Sequence, residues 1–221
     1  MSLNSRGYTL VELLVAIAVT SVVLTGTYAA YTIFSHQQQV LLGRTEVDRS
    51  ALRAIDLIQA DIRMAGFKDY TDTNALPSDQ AIQLISATPG DLLLVYDDRD
   101  ASNNLYRALV RYYLADAPSA IPHKRLMREW RICPPPSNPC DLSHSQPVTG
   151  SSVGEPLLDW VSQFTVIPLN LKTTGTTFVG IPQSIQINLE VTSSKKLDGA
   201  TFPLKKNFTF LARARNVSLV P

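Results

Sequence analysis

A long apolar segment with one acid near its start constrains this chain most. The segment reads GYTLVELLVAIAVTSVVLTGTYAAYTIF from Gly7 to Phe34, and Glu12 is its one formally charged residue. From Leu13 to Phe34 there are 22 residues (34 − 13 + 1) without a formal charge. About 20 residues of α-helix cross the hydrocarbon core of a bilayer. A chain of 221 residues is too small to enclose a helix that is apolar on every face. The segment therefore predicts a membrane-spanning helix.

The alternative for this segment is a signal peptide that is removed. Signal peptides have a shorter apolar region, of about 7–15 residues, and a small-x-small cleavage site. Thr27-Tyr28-Ala29 is a poor site, and an acid at the front of the segment is atypical. These departures favour a helix that is retained. Arg6 precedes it, which predicts a cytoplasmic N-terminus and places the rest of the chain on the other side of the membrane.

The net charge and the two cysteines restrict the classes of function and the cellular compartment that the chain is expected to have. Lys+Arg 20 against Asp+Glu 19 gives a net charge of +1, so no strong basic field indicates nucleic-acid binding. The two cysteines, Cys133 and Cys140, flank the sequence PPPSNP. We expect them to form a disulfide, which requires an oxidising compartment.

The helix is expected to continue beyond the bilayer as an amphipathic helix. Apolar residues recur at mostly three- and four-residue steps, at Leu41, Val47, Ala51, Leu52, Ile55, Ile58, Ile62 and Ala65. Gly66 is a plausible end of this helix. From Tyr8 to Ala65 there are 58 residues (65 − 8 + 1), or about 87 Å at 1.5 Å per residue.

The remainder of the chain, from Phe67, is predicted to be rich in β-strand. Candidate strands are 81–86, 91–97, 105–114, 125–132, 157–169, 184–193 and 206–217. Several alternate apolar and polar residues, which predicts an antiparallel sheet with one apolar face. We expect that face to cover the helix stripe of Leu52, Ile55, Ile58 and Ile62. The predicted fold class is therefore α+β, with a long N-terminal helix packed on an antiparallel β-sheet head.

The N-terminal residues resemble a known motif. Gly7-Tyr8-Thr9-Leu10-Val11-Glu12 resembles the prepilin-type cleavage and methylation motif of type IV pilins and type II secretion pseudopilins. The resemblance implies that a prepilin peptidase cuts after Gly7 and methylates the amine of Tyr8. Tyr8 stands where the family usually has Phe. Glu12 becomes the fifth mature residue, which in pilins is thought to meet the N-terminal amine of a neighbouring subunit.

A contact between Glu12 and the amine of a neighbouring subunit would explain why an acid is present in a segment where a charge is unfavourable. A carboxylate at the bilayer centre costs up to about 3 kcal/mol, and less near the edge. An amine on a neighbouring helix would offset this cost in a medium of low dielectric constant. The alternative is that Glu12 lies at the level of the lipid headgroups beside its own terminus. The sequence is compatible with both.

The rest of the chain resembles PilW-type minor pilins. ALRAIDLIQADIRMAGF (51–67), LLDWVSQFTV, SIQINLEVTS and FTFLARARNV resemble landmarks of that family, in that order. The resemblance implies a leader at 1–7, a transmembrane and assembly half of the helix at 8–35, an amphipathic half at 36–66 and a head at 67–221. It implies an inner-membrane protein with a single span and a periplasmic head, which later enters the pilus fibre, including its tip. The expected partners are prepilin peptidase, other minor and major pilins and membrane lipid, with no nucleic acid.

Three functional hypotheses follow from the resemblance. The first is a minor pilin that takes part in pilus assembly or initiation, and so in twitching motility or adhesion. The second is a minor pseudopilin of the J type in a type II secretion system. The third is an adhesive binding module at the fibre tip.

No pattern in the sequence indicates enzymatic chemistry. His36, His123 and His144 are scattered and lack metal-ligand spacing. DDRDASNN at 97–104 offers oxygen ligands for Ca²⁺ but lacks the ligand spacing of an EF-hand, so its composition favours a solvated hairpin loop. The tyrosines 106, 112 and 113 and Trp130 are expected to pack in the sheet. We expect no enzyme activity, cofactor or metal.

Overall fold

The computed structural model describes residues 9–69, 81–84, 90–118, 123–133, 140–148, 154–169, 172–174, 177–179, 184–192 and 205–214. One helix, α1 (Leu10–Met64, 55 residues), precedes every described strand. At 1.5 Å per residue it is about 82 Å long. It is long enough and apolar enough near its start to cross a membrane, by length and composition.

Both ends of α1 have residues that stabilise helix termini. Thr9 is the N-cap, and its side chain accepts a hydrogen bond from the Glu12 N–H. At the other end Gly66 has a φ of +77°, a left-handed conformation that glycine adopts without steric cost. The expectation that the helix ends at this glycine is confirmed.

The head consists of antiparallel strands, as expected. In chain order they are β1 Ile82–Leu84, β2 Leu92–Arg99, β3 Leu105–Asp116, β4 Lys124–Cys133, β5 Gln146–Pro147, β6 Glu155–Leu158, β7 Val161–Leu169, β8 Lys172–Thr174, β9 Thr177–Val179, β10 Ser184–Thr192 and β11 Lys205–Arg213. The α+β architecture with a long N-terminal helix and antiparallel sheets is consistent with a type IV pilin-like fold.

The described strands form separate sheets, where the sequence predicted one. A six-stranded sheet has the order β1-β2-β3-β4-β5, with β6 also paired to β4. A three-stranded sheet has the order β11-β10-β7, and β8 and β9 form a hairpin. The sequence predicted neither that hairpin nor the short strand β5.

The chain crosses between the two larger sheets inside the region 157–169, which was expected to be one strand. Its first residues belong to β6 in the six-stranded sheet, and its last belong to β7 in the three-stranded sheet. Trp160 separates them with a φ of +61°, and Thr192 donates hydrogen bonds from its N–H and its hydroxyl to the Trp160 carbonyl, both at 2.8 Å. A left-handed residue breaks the ladder and redirects the chain.

One apolar core lies between α1 and the two larger sheets. The helix contributes Val47, Ala51, Ala54, Ile55, Ile58, Ile62 and Ala65. Strands β2, β3, β7 and β10 contribute most of the residues that face them, including Leu92, Val110, Phe164 and Ile187. The predicted burial of Ile55, Ile58 and Ile62 is confirmed, but Leu52 is 52% exposed, so its predicted place in the core is wrong.

Candidate assembly site

The N-terminal half of α1 is an apolar surface that the described part of the head leaves exposed. Residues 9–34 are all exposed, and the large apolar side chains among them are more than half exposed. A contiguous apolar surface of this extent marks a site of contact with membrane or protein.

The hydroxyl groups of this segment are satisfied within the helix. Each serine and threonine between Leu13 and Ser35 donates to a backbone carbonyl three or four residues earlier, at 2.7–3.0 Å; they are Thr20, Ser21, Thr25, Thr27, Thr32 and Ser35. A hydroxyl that bonds to its own helix needs no water. The polar residues of the segment therefore do not oppose transfer into lipid or into a helix bundle.

Glu12 lies in the first turn of this apolar half. Its backbone N–H donates to the Thr9 carbonyl at 3.1 Å and to the Thr9 hydroxyl at 3.3 Å. Within the described residues no side chain pairs with its carboxylate, which is exposed. An acid in the first turn interacts favourably with the helix dipole. Gly7 and Tyr8, the expected cleavage and methylation sites, lie outside the described residues.

The C-terminal part of α1 is joined to the head by a buried polar cluster. The Asp61 carboxylate accepts hydrogen bonds from the Tyr112 hydroxyl at 2.5 Å and from Arg128 Nε at 3.0 Å. Burial and the Asp61 charge raise the pKa of Tyr112, so the phenol stays protonated. Burial alone would lower the pKa of Arg128, but its hydrogen bond to Asp61 raises the pKa overall. The cluster therefore joins α1, β3 and β4 through one ion pair and one neutral donor.

A second buried ion pair lies where the chain leaves the helix. Asp97, almost fully buried, accepts from Arg107 Nε at 3.0 Å and from the Asp69 N–H at 3.1 Å. The Gly66 N–H donates to the Val95 carbonyl at 2.9 Å. These bonds attach the segment after α1 to strand β2, so the helix end and the sheet are held together by backbone as well as side-chain contacts.

Cys133 and Cys140 form a disulfide at the end of β4, with their Cα atoms 5.7 Å apart. Arg131 fixes the chain after it, donating from Nε to the Ser145 hydroxyl and from Nη2 to the Ser145 carbonyl, both at 2.7 Å. Both cysteines are buried with Leu93, Val95 and Leu109 on the sheet face that points away from α1.

The acid-rich sequence 97–104 forms the end of strand β2 and a hairpin turn. The Asn104 side chain donates to Asp100 at 3.0 Å, and the backbone N–H groups of Asn104 and Ser102 donate to it at 2.8 and 2.9 Å; these bonds lower the pKa of Asp100. Asp98 accepts from the Tyr106 hydroxyl at 3.0 Å. Asp97 is paired with Arg107 and accepts from the Asp69 N–H, so these three acids are already engaged by groups of the protein itself. The described residues contain no cluster of three His, Cys, Asp or Glu side chains that could hold a metal.

Comparison with known proteins finds one match. A family model described as the prokaryotic N-terminal methylation motif matches residues 2–28. The N-terminal segment carries a prepilin-type methylation motif. The match includes Gly7, Tyr8 and Glu12, and it supports a type IV pilin-like or pseudopilin-like protein that is processed by a prepilin peptidase, anchored by its apolar helix and assembled with other pilins. No curated protein and no solved structure matches the chain.

The polar cluster around Asp61 was not predicted from the sequence. Its signal was present, because Asp61 lies three residues after Ile58 and next to Ile62, on the buried side of the helix. Tyr112 was expected only to pack in the sheet, whereas its hydroxyl donates the shortest bond of the cluster. An acid on a buried stripe indicates a partner, and the alternation of β3 and β4 could have suggested where that partner lies.

Proposed function

We propose that this chain is a minor pilin of the PilW type, which takes part in assembling a type IV pilus. Residues 1–7 are then the leader, 8–35 the transmembrane and assembly half of the helix, 36–66 the amphipathic half and 67–221 the periplasmic head. The observation that carries the proposal is the exposed apolar half of α1, which follows the cleavage site of a prepilin-type motif and contains one acid, Glu12.

Glu12 has a role in assembly rather than in membrane insertion in this proposal. The apolar residues from Leu13 onward insert without it, because removal of a charge favours transfer into lipid. In the fibre, subunits pack helix against helix, and a contact between Glu12 and the Tyr8 amine of a neighbour would fix their register. A polar group fixes register in the same way at the seam of a coiled coil.

The test is to substitute Glu12→Gln, which keeps the shape of the side chain and removes its charge. We expect normal processing and membrane level, and fewer surface fibres. Glu46→Gln is the matched control, because Glu46 is an exposed acid on the other half of the same helix. Wild-type fibre counts in the Glu12→Gln strain would contradict the proposal.

The alternative is a J-type pseudopilin, since the matched motif is shared by pilins and pseudopilins. Cross-linking and co-purification from membranes distinguish the two. Recovery of pilus subunits supports the minor pilin, and recovery of secretion-system components with loss of secretion in a deletion strain supports the pseudopilin. Normal fibre number with lost adhesion would instead support a tip adhesin.

A further inference from the structure

A groove of about 550 Å³ opens on the face of the six-stranded sheet that also carries Tyr112 and Arg128. Side chains from β3 and β4 form its floor, and the hairpin turn of Asn104 and the start of β6 at Glu155 form its rim. Its volume lies in the range of about 300–1,000 Å³ that is typical of small-molecule sites.

Two residues that line this groove carry hydrogen-bond donors without acceptors among the described residues. The indole Nε1 of Trp130 is buried, and no described residue accepts its hydrogen, so a ligand oxygen reaches it only when the ring turns towards the groove. Beside it, the Arg128 guanidinium lies over the Trp130 ring, with Cζ 4.8 Å from the ring centroid. Arg128 uses Nε to reach Asp61 and Tyr112, and its two terminal nitrogens make no hydrogen bond with the described residues. A buried donor without an acceptor costs free energy, so an oxygen atom in the groove would be favoured.

The charges around the groove argue against an anionic ligand. Arg128 already pairs with Asp61 at 3.0 Å, so its charge is balanced within the protein. The described lining contains three acids, Asp100, Glu129 and Glu155, and Arg128 is its one cation; Glu129 pairs with Arg131 at 2.6 Å. Asp100 accepts hydrogen bonds within its own turn, whereas the exposed Glu155 side chain is able to accept a bond from a ligand. A hydroxyl group both accepts from the floor and donates to the rim, and carries no charge.

The remaining walls are apolar and rigidly placed. The Tyr106 ring is fixed by its hydrogen bond to Asp98, and Ile132 lines the groove from the same strand face as Trp130. Gly154 keeps the rim against β4, because a Cβ there would lie 2.9 Å from the Arg128 carbonyl oxygen. The apolar face of an aromatic ring packs against C–H groups, while the polar atom of Tyr or Trp forms hydrogen bonds.

We propose that this groove binds a neutral saccharide. A sugar ring packs against Tyr106 and Trp130, its oxygens accept from Trp130 Nε1 and Arg128, and one hydroxyl donates to Glu155. This binding activity goes beyond the assembly role and uses residues remote from Glu12 in sequence.

The experiment uses the full chain in a zwitterionic detergent, because the headgroups of sugar-based detergents would compete. The protein has two tryptophans, so a ¹⁵N spectrum has two indole N–H resonances, and the one absent from Trp130→Phe belongs to Trp130. Lactose, maltose, cellobiose and chitobiose are titrated in turn. We expect at least one to shift the Trp130 resonance saturably. Trp130→Phe and Glu155→Gln should each weaken its binding tenfold or more, measured by calorimetry.

Tyr113→Phe is the control, because Tyr113 lies on the opposite face of the same sheet, where Arg111 is 4.4 Å from its ring. It should bind like wild type, as should Glu12→Gln, whose defect belongs to assembly. The proposal is overturned if no disaccharide shifts the indole resonance, if both groove variants bind like wild type, or if glucuronic acid binds while every neutral sugar fails. Glu155→Gln alters an exposed side chain, so it tests the site even if Trp130→Phe lowers stability.

Discussion

The Tyr112 hydroxyl donates to the Asp61 carboxylate at 2.5 Å, in a cluster that joins the long helix to the head. Both side chains are buried, and Arg128 Nε reaches the same carboxylate oxygen at 3.0 Å. The contact spans 51 positions of sequence, so it forms only when helix and sheet have docked. The stability of this junction therefore depends on the hydrogen bonds among three polar side chains.

We expect Tyr112→Phe to lower the free energy of unfolding by about 1.5–3 kcal/mol, the usual range for a hydrogen bond to a charged group. Asp61→Ala should cost more, about 3–5 kcal/mol, because it leaves the largely buried Arg128 charge without a partner. Denaturant unfolding followed by near-UV circular dichroism measures both. Tyr113→Phe, on the opposite sheet face, is the control. Equal losses in all three variants would show that the cluster does not join helix and head.

The apolar face of α1 offers a matched pair of substitutions. Ile58 is fully buried, whereas Leu52 is 52% exposed six positions earlier on the same helix. Ile58→Ala should cost about 2–5 kcal/mol, because it removes buried methyl groups and leaves a cavity. Leu52→Ala should change stability by about 0.5 kcal/mol or less. Denaturant unfolding measures both variants. If Leu52→Ala lowered the free energy of unfolding as much as Ile58→Ala, Leu52 would be packed in the core, contrary to its exposed position.

Sequence periodicity predicted some features of the helix α1 but not others. The three- and four-residue spacing predicted an amphipathic helix and its end at Gly66, because both signals are local. The spacing did not determine how the helix is rotated about its own axis, because that rotation depends on where the two sheets place their apolar faces. Ala51 and Ala54 let the helix approach closely, with no exposed area left on either. Leu52, one residue from Ala51, is consequently turned away by about 100°.

The strands show a different limit. Alternation of apolar and polar residues located most of the longer strands, but it does not tell which sheet a strand joins. The division at Trp160 depends on a left-handed residue that is neither glycine nor asparagine. At Gly90, which has a φ of +94°, a Cβ would lie 1.9 Å from the Phe164 carbonyl oxygen. The chain before β2 and strand β7 therefore approach each other at a distance that only glycine permits.

The groove beside Trp130 was not predicted from the sequence either, because its walls come from four segments that are far apart in sequence.

Removal of the disulfide should destabilise the head. Cys133 and Cys140 are 7 positions apart, and closing so short a loop contributes about 2–3 kcal/mol in the chain-entropy model. Cys133→Ser with Cys140→Ser should lower the midpoint of denaturation accordingly. Wild type measured with a reductant should shift equally, whereas the double variant should not respond to the reductant. Two free thiols in peptide maps of the exported protein would contradict the pairing.

The turn after the disulfide predicts a pH dependence. Hydrogen bonds from the Ser143 hydroxyl and from His144 lower the pKa of Asp141 from 3.8 to about 2. Because the folded pKa lies below the ordinary value, ionised Asp141 stabilises the turn above about pH 4, and this contribution is lost as the pH falls towards 2. Ser143→Ala should raise the pKa of Asp141, measured by titration of its carboxyl carbon resonance. Ser102→Ala, in another turn, should leave it unchanged, and an unaltered value in Ser143→Ala would refute the assignment.

The N-terminal motif predicts processing at one peptide bond. We expect cleavage after Gly7, which leaves 214 of the 221 residues (221 − 7), with a methylated amine on Tyr8. Gly7→Val should block cleavage, because a branched side chain at the scissile bond obstructs close approach of the peptidase.

Gly26→Ala is the control variant, since a Cβ at Gly26 meets no atom within 4 Å in the isolated chain. The Gly26→Ala variant should be processed normally. If this variant nevertheless formed fewer fibres, Gly26 would be a position where helices pack closely in the fibre. Intact mass and N-terminal peptide mapping give the answer. A mature start near Ala30 would mean that the apolar helix is removed, and the proposed anchoring and assembly roles would then both fail.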